Sequence, residues 1–173
     1  MALVKLLQIA GYQDSGKTTL LTAIIEHIEQ SGKKAAVLKH HGHGGIPDLP
    51  LKDSSRHFEA GAVAAMVDGG GIINLTAKLD ELGIDKKLEL LALFSPDIIL
   101  IEGYKKKPFP KIVMIRRSEE VDLLDQLECI QAVVVWPESE KIVNDWNMTV
   151  PVFSLNDGML FEWIDGYIYK DSH

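Results

Sequence analysis

Residues 11–18 read Gly-Tyr-Gln-Asp-Ser-Gly-Lys-Thr and match the pattern G-x-x-x-x-G-K-[ST]. In such a loop the glycines let the backbone approach phosphate oxygens, and amide groups at the start of the next helix point at the anion. Lys17 is expected to reach the β- and γ-phosphates of a nucleotide, and the Thr18 hydroxyl is expected to ligate Mg²⁺. The residues expected to line this site are Gly11, Asp14, Ser15, Gly16, Lys17, Thr18 and Thr19.

The segments on either side of this phosphate loop (residues 11–18) have the pattern that such a loop requires. Residues 3–10 are almost wholly apolar, which predicts a strand without a solvated face. Residues 17–31 carry apolar side chains at helical spacing, and Gly32 then ends the predicted helix. A buried strand, a glycine-containing loop and an amphipathic helix in direct succession are typical of a nucleotide-binding loop.

The rest of the chain alternates short apolar runs with helical patterns, which is typical of an α/β domain with a mainly parallel sheet. Further strands are predicted at 35–38, 98–101, 112–115, 132–135 and 152–155, and a hairpin at 62–67 and 72–75. Helices are predicted at 53–61 and 82–94, with a C-terminal helix or turn around 159–164. We expect a three-layer α/β P-loop NTPase fold in a single domain over residues 1–173, with a small β subregion near 62–76.

Composition excludes several classes of protein. The 173 residues are 46% hydrophobic and 25% charged, an ordinary globular composition, and one cysteine allows no internal disulfide. The formal net charge of −7 argues against binding to nucleic acid or to anionic membranes, because both need a basic surface. No apolar run approaches the roughly 20 residues of a membrane span, and the start resembles no signal peptide. We therefore expect a cytoplasmic protein.

A phosphate loop needs a carboxylate for Mg²⁺, usually at the end of a neighbouring strand. Glu102 follows the apolar run 98–101 and precedes Gly103, so it is the first candidate for the metal and for catalysis together with Lys17. Asp97 precedes the same run and should lie too far away. Asp53 is a rival or an additional magnesium ligand; its alternative role is the cap of a helix.

Several other residues are further candidates for function, each with a structural alternative. His40, His41 and His43 are candidates for phosphate, pterin or metal binding, or for a plain exposed loop. Arg56 is either an anion-binding side chain or part of a surface ion pair, and Lys105 begins a run of three lysines that is either an anion site or a solvated face. Cys129 is expected to be a small buried residue. Trp136, Trp146 and Trp163 are expected to be core or dimer-interface residues.

Taken together, the motifs resemble the molybdopterin-guanine dinucleotide biosynthesis protein B (MobB) family. The resemblance covers roughly the first two thirds of the chain and rests on five segments in order. These segments are Gly11 to Thr19, Lys39-His40 with His41 and His43, Asp53-Ser54-x-Arg56-His57 leading to Ala60-Gly61-Ala62, Ile101-Glu102-Gly103-Tyr104-Lys105, and Pro110-Lys111. The phosphate loop alone is common to many folds, whereas the combination is specific.

The resemblance implies a GTP-binding P-loop protein of the class that includes nickel-insertion and signal-recognition GTPases. It implies GTP and Mg²⁺ as ligands, weak GTP hydrolysis, a homodimer, and an auxiliary role in attaching GMP to molybdopterin. The implied partners are molybdopterin or its guanine dinucleotide and MobA, the nucleotidyltransferase that performs the attachment. In the family's pattern Gly11, Gly16, Lys17 and Thr18 would bind phosphate and magnesium, while His40, Arg56 and Lys105 are further candidates for ligand binding.

The sequence departs from the family's pattern in two places. The histidine segment is looser than the family's usual Lys-His-x-His-His run. No Asn-Lys-x-Asp motif for guanine follows the strand 132–135, where the chain has Trp136-Pro137-Glu138, so guanine preference rests on the resemblance alone. Asn156-Asp157 could read the base edge or form an ordinary turn. Tyr12 stands where some P-loop dimers carry a lysine that reaches the partner's nucleotide, so we expect a nucleotide-independent dimer built from the second-half strands and the tryptophans.

Two other functions fit a short P-loop chain. A small-molecule kinase needs an arginine-bearing lid, and the chain has only Arg56, Arg116 and Arg117. A nucleotide-dependent metal chaperone is suggested by the histidines but lacks paired cysteines. No residue stands out as a general base, so any hydrolysis should be slow, since positioning and charge stabilisation supply most of the rate in phosphoryl transfer.

Overall fold

The computed structural model describes residues 4–40, 53–78, 82–145, 149–155 and 157–169. The strands, in chain order, are β1 (Lys5–Ala10), β2 (Ala35–Lys39), β3 (Ala64–Gly69), β4 (Ile72–Ala77), β5 (Ile98–Glu102), β6 (Lys111–Ile115), β7 (Ile130–Val135) and β8 (Val152–Ser154). The helices are α1 (Lys17–Gln30), α2 (Asp53–Glu59), α3 (Ile84–Ala92), α4 (Leu123–Gln126), α5 (Glu140–Asp145) and α6 (Gly158–Tyr169). The chain forms two compact units, residues 1–42 with 88–173 and residues 43–87.

The larger unit is built on a parallel sheet of six strands in the order β2-β5-β1-β6-β7-β8. This confirms the predicted α/β fold with a mainly parallel central sheet. All residues of β5 and β6 are buried, because both strands lie inside the sheet and are covered on both faces. The six predicted strand positions of this sheet agree with the observed strands to within two residues.

Side-chain alternation along the central strands builds a core on each face of the sheet. On one face Ile112 and Met114 of β6 pack with residues of α1 and α6, including Leu20 and Ile164. On the other face Val113 and Ile115 pack in a cluster that includes residues of α4, α5 and β7. Two cores on opposite faces make the three layers that the sequence predicts.

The smaller unit contains a two-stranded antiparallel hairpin of β3 and β4, with Gly70 and Gly71 at its turn in left-handed conformations (φ 57° and 79°). The hairpin falls where a small β subregion is expected. Six large apolar side chains in and beside its strands are exposed, namely Val63, Met66, Val67, Ile72, Ile73 and Leu75.

One prediction about an individual residue is wrong. Cys129 is exposed, because it sits at the turn before β7 in a left-handed conformation (φ 59°) and not on a strand or helix face. Strands β6 and β7 lie within the sheet between other strands, whereas β8, the last of the second-half strands, lies at its edge, so the predicted dimer contact of these strands stays a prediction. Trp163 stacks on Tyr167 beside the core, and Trp146 lies outside the described residues.

The sheet brings three strand ends to one place. Ile9 of β1 and Lys39 of β2 are both register partners of Glu102 in β5, so the carboxyl ends of these strands lie side by side. The residues that follow β1, β2 and β5 therefore share one edge of the sheet, where ligands bind in open α/β folds. Within the described residues, no helix is long and apolar enough to cross a membrane.

Candidate functional site

The phosphate loop leaves β1 and enters α1 with a backbone that depends on its glycines. A Cβ atom on Gly11 would lie 2.7 Å from Ser15 Oγ, closer than real Cβ contacts. Gly16 has φ 91°, and a Cβ there would lie 3.2 Å from Cζ2 of Trp136. Asp14 also adopts a left-handed conformation, with φ 59°. The loop therefore has the tight turn that close approach of the backbone to phosphate requires.

Lys17 lies across this loop. Its ammonium group donates a hydrogen bond of 2.5 Å to the carbonyl oxygen of Tyr12 at the start of the loop. Partial burial lowers the pKa of Lys17 below its ordinary value of 10.5, while the charges of Glu102 and Asp14 oppose that shift. A half-buried ammonium with one carbonyl partner is suited to bind phosphate oxygens.

A second cluster joins the start of α1 to the ends of β5 and β2. The Thr18 hydroxyl donates a hydrogen bond of 3.0 Å to Glu102 Oε1. The Lys39 ammonium lies 3.2 Å from the same carboxylate oxygen and 3.4 Å from Thr18 Oγ1. Three residues distant in sequence thus bring two oxygens and one cation together beside the phosphate loop.

The oxygen atoms of this cluster fit a magnesium ion. Mg²⁺ holds oxygen ligands at about 2.1 Å in an octahedron, so neighbouring ligand oxygens lie about 2.9 Å apart, close to the separation of Thr18 Oγ1 and Glu102 Oε1. Glu102 Oε2 and Ser15 Oγ are buried without a hydrogen-bond partner, as expected for groups that await a ligand. Asp53 begins α2 in the smaller unit, but its side chain lies outside the part that the structure describes.

Trp136 and Arg116 hold the phosphate loop from outside. The indole nitrogen of Trp136 donates a hydrogen bond of 2.9 Å to the carbonyl oxygen of Ser15. The guanidinium of Arg116 lies 4.7 Å from the centre of the Trp136 ring and donates to the carbonyl oxygen of Asp14 at 2.5 Å. Neither role was predicted from the sequence. The signal was present, because Arg116 and Trp136 directly follow β6 and β7, whose ends share the edge of the sheet with the phosphate loop.

The structure describes four other predicted ligand-binding residues, His40, Lys105, Thr19 and Arg56. His40 stacks on Tyr104 with ring centres 4.2 Å apart, and its amide donates to the carbonyl oxygen of Glu102. Lys105 lies over the ring of Tyr12 at 4.7 Å, and Thr19 is exposed on the first turn of α1. Arg56 is exposed on α2 in the smaller unit.

Gly103 lets the backbone after β5 pass close to His40. Its φ is 92°, and a Cβ there would lie 2.9 Å from His40 Cβ. The amide nitrogen of the Gln8 side chain, inside β1, donates to the Gly103 carbonyl at 2.5 Å. No role for Gln8 was predicted from the sequence.

The remaining predictions concern residues away from this cluster. Asp97 contacts Lys33 and Lys34 at the opposite end of β5, which confirms that it is too far from the phosphate loop. Asp157 accepts a hydrogen bond of 2.9 Å from the amide of Met159 and so caps α6. Its neighbour Asn156, together with His41 and His43, lies outside the described residues.

Comparison with known proteins matches the same segments. The sequence model of one protein family, described as "Molybdopterin guanine dinucleotide synthesis protein B", matches residues 6–136, from the first strand through Trp136. The chain belongs to this family. A Bacillus subtilis (strain 168) protein is 34% identical over 169 residues, with 95% of each chain covered. That relative is named "Probable molybdopterin-guanine dinucleotide biosynthesis adapter protein".

Solved structures agree on the fold. The crystal structure of Bacillus subtilis MobB has a TM-score of 0.77 and 31% identity, covering 94% of this chain and 97% of that one. The hydrogenase maturation factor HypB from Archaeoglobus fulgidus has a TM-score of 0.54 at 20% identity, with 95% and 90% covered. The second likeness shows the fold alone. Membership of the MobB family and a P-loop NTPase fold are thus established for this chain.

Proposed function

We propose that this protein is a GTP-binding adapter in the biosynthesis of molybdopterin guanine dinucleotide, with slow GTP hydrolysis. The observation that carries the nucleotide-binding part is the pairing of Thr18 with Glu102 beside the phosphate loop. The biosynthetic part is supported by family membership and by the names of the relatives.

Different residues of the candidate site bind the phosphates and the metal ion of a magnesium–nucleotide complex. The amides of the phosphate loop and the Lys17 ammonium bind the phosphates, and Thr18 and Glu102 hold the metal, with Asp53 as an additional candidate. Bound Mg²⁺ supplies charge neutralisation at the phosphate oxygens. The Trp136 indole and the Arg116 guanidinium bind the loop carbonyls of Ser15 and Asp14 and so support the conformation of the loop. His40, whose amide donates to the Glu102 carbonyl, and Lys105, which lies over the ring of Tyr12, are further candidates for contact with an anionic ligand.

Slow hydrolysis follows from the chemistry of these groups. Within the described residues, the carboxylate nearest to Lys17 and Thr18 is Glu102, which is assigned to the metal and to the charge of Lys17. With Glu102 assigned in this way, we expect no efficient general base for an attacking water and therefore slow turnover. The protein would act through its nucleotide-bound form and its partners, more than through turnover.

Two experiments test this function. The first compares the affinities for GTP and ATP, and the second measures the effect of the protein on the partner nucleotidyltransferase. We expect the protein to bind GTP more tightly than ATP in Mg²⁺, and to hydrolyse GTP far more slowly than one turnover per second. Addition of the protein to the partner nucleotidyltransferase should raise the yield of guanine dinucleotide from molybdopterin and GTP. Equal affinity for ATP and GTP would overturn the guanine preference. An unchanged yield would overturn the adapter role.

We also propose that the protein is a homodimer that forms without nucleotide. The exposed apolar side chains of the β3–β4 hairpin support this, since patches of this kind mark protein interfaces. Within the described residues β3 and β4 pair only with each other, so each leaves an edge of backbone groups that the same edge of a second copy can pair with. Light scattering on nucleotide-free protein tests this. A mass near 19 kDa that rises only with GTP would contradict it.

Replacing two exposed residues locates the contact. Ile72→Asp and Val63→Asp place charges on the hairpin and its flank, and both should shift the mass toward the monomer. Leu93→Asp, at an exposed apolar residue in the larger unit, is the matched control and should leave the mass unchanged. If only Leu93→Asp dissociates the dimer, the interface lies elsewhere.

A further inference from the structure

Lys39 is paired with the two oxygens that would hold magnesium. Its ammonium nitrogen lies 3.2 Å from Glu102 Oε1 and 3.4 Å from Thr18 Oγ1, and those two oxygens lie 3.0 Å apart. The three atoms form a closed triangle with a positive charge at one corner. In this arrangement the ammonium neutralises Glu102 in the way a metal ion would.

The register of the sheet places Lys39 beside Glu102. Lys39 and Glu102 are direct register partners in adjacent parallel strands, so their side chains leave the sheet on the same face. The backbone continues the link beyond the strand, since the His40 amide donates a 2.9 Å hydrogen bond to the Glu102 carbonyl oxygen. The left-handed Gly103 allows His40 to approach this closely. Lys39 therefore starts from a fixed point beside the carboxylate.

The two partners differ in their freedom to move. The Glu102 side chain is 10% exposed, whereas that of Lys39 is 58% exposed. A lysine side chain is long and flexible, and its ammonium is readily rehydrated when it leaves an ion pair near solvent. An incoming metal ion can thus displace the ammonium while Glu102 and Thr18 stay where they are.

We propose that the Lys39 ammonium takes the place of magnesium in the nucleotide-free protein. As a positioning residue, it contacts Thr18 and Glu102 and neutralises the Glu102 carboxylate until Mg²⁺ binds with the nucleotide. The inference rests on the proposed nucleotide-binding function. Two consequences follow. Free divalent ions must compete with the ammonium and bind weakly. Nucleotide without metal still binds well, because the ammonium screens the Glu102 carboxylate from the phosphates.

The experiment measures GTP affinity of the full-length protein by equilibrium titration, in Mg²⁺ and in EDTA, for the wild type and three variants. Lys39→Met removes the charge and keeps much of the length, and we expect it to raise the ratio of the Kd in EDTA to the Kd in Mg²⁺ about tenfold, the scale of one charged hydrogen bond. Lys39→Arg keeps the charge and should restore the wild-type ratio. Lys34→Met, at an exposed lysine before the other end of β2, is the matched control and should leave the ratio unchanged.

A second readout uses Mn²⁺ alone, followed by electron paramagnetic resonance, and needs no nucleotide. Lys39→Met should bind Mn²⁺ more tightly than the wild type, and Lys34→Met should not. An unchanged or lowered Kd ratio in folded Lys39→Met, equal Mn²⁺ affinities, or a Lys39→Arg variant that behaves like Lys39→Met would each overturn the proposal. Absence of GTP binding in the wild type would instead overturn the proposed function, and the Mn²⁺ comparison would still decide the role of Lys39.

Discussion

Thr18 and Glu102 are 84 residues apart in sequence, yet the hydroxyl of one donates a 3.0 Å hydrogen bond to the carboxylate of the other. Thr18 stands in the first turn of α1 and Glu102 ends β5, which is next to β1 in the sheet. The parallel pairing of these two strands brings the helix that follows one of them to the end of the other. This contact turns a sequence motif into a candidate magnesium site.

Glu102→Gln tests that site directly. The amide still accepts the Thr18 hydrogen bond, so the fold should be kept, but it offers no charge to Mg²⁺. We expect GTP binding in EDTA to stay nearly intact and the gain in affinity from Mg²⁺ to fall at least tenfold. Isothermal titration in both conditions measures this. If Asp53→Asn loses the Mg²⁺ effect and Glu102→Gln keeps it, the two carboxylates have been assigned the wrong way round.

Trp136→Phe tests the support of the phosphate loop. The substitution keeps an aromatic ring but removes the donor that holds the Ser15 carbonyl. Since a lost hydrogen bond of this kind is worth about 1 kcal/mol, we expect GTP affinity to fall roughly fivefold. Trp163→Phe is the matched control: it should lower stability, because Trp163 packs beside the core, and leave affinity unchanged. Equal affinities of Trp136→Phe and the wild type would remove Trp136 from the site.

Gly103→Ala tests the close approach between the ends of β2 and β5. Its Cβ would lie 2.9 Å from His40 Cβ, whereas a Cβ on Gly32, which also has a positive φ, meets nothing within 4 Å. Both alanine variants carry the strain of a left-handed backbone, so their difference isolates the clash. We expect urea denaturation to show Gly103→Ala less stable than Gly32→Ala by about 1–3 kcal/mol. If the two variants lose the same free energy of unfolding, the ends of β2 and β5 can move apart without cost and the clash with His40 does not matter.

Lys17 should make phosphate binding dependent on pH. Burial lowers its pKa below 10.5 in the free protein, and a bound polyphosphate must raise it again. Between these two pKa values, binding takes up a proton, so affinity falls as pH rises through that window. Calorimetric titration with tripolyphosphate, which lacks a nucleobase that could ionise, is carried out in alkaline buffers of different ionisation enthalpy. If binding takes up a proton, the measured heat should depend on the buffer. The same heat in every buffer would contradict it.

The fold was readable from the sequence because each central strand is a short apolar run. Runs such as 98–101 have no polar face, and in a chain with helical patterns between them this indicates a parallel sheet covered on both sides. Glu102 was also predictable, since it directly follows such a run. These inferences needed only local pattern and the general rule that sites lie at the carboxyl ends of strands.

The contacts that complete the site depend on strand order, which local pattern does not contain. Lys39 acts through its register with Glu102, and Trp136 reaches Ser15 only because β6 and β7 follow β1 in the sheet. The second-half strands have the same apolar composition whether they lie inside a sheet, as β6 and β7 do, or at an interface, so their composition alone does not identify a dimer contact. Cys129 was misassigned because its exposure follows from a left-handed turn that its residue type does not signal.

The central claim is that residues 11–18 bind nucleotide phosphates through Lys17, and one titration tests it most directly. GTP is titrated in Mg²⁺ into the wild type, Lys17→Ala and the surface control Lys34→Ala, with circular dichroism to confirm that all three are folded. Because the Lys17 ammonium contacts the Tyr12 carbonyl and only half of it is buried, its removal should spare the fold. We predict that Lys17→Ala loses GTP binding by at least a hundredfold while Lys34→Ala binds like the wild type. Unchanged GTP affinity in folded Lys17→Ala would contradict the account.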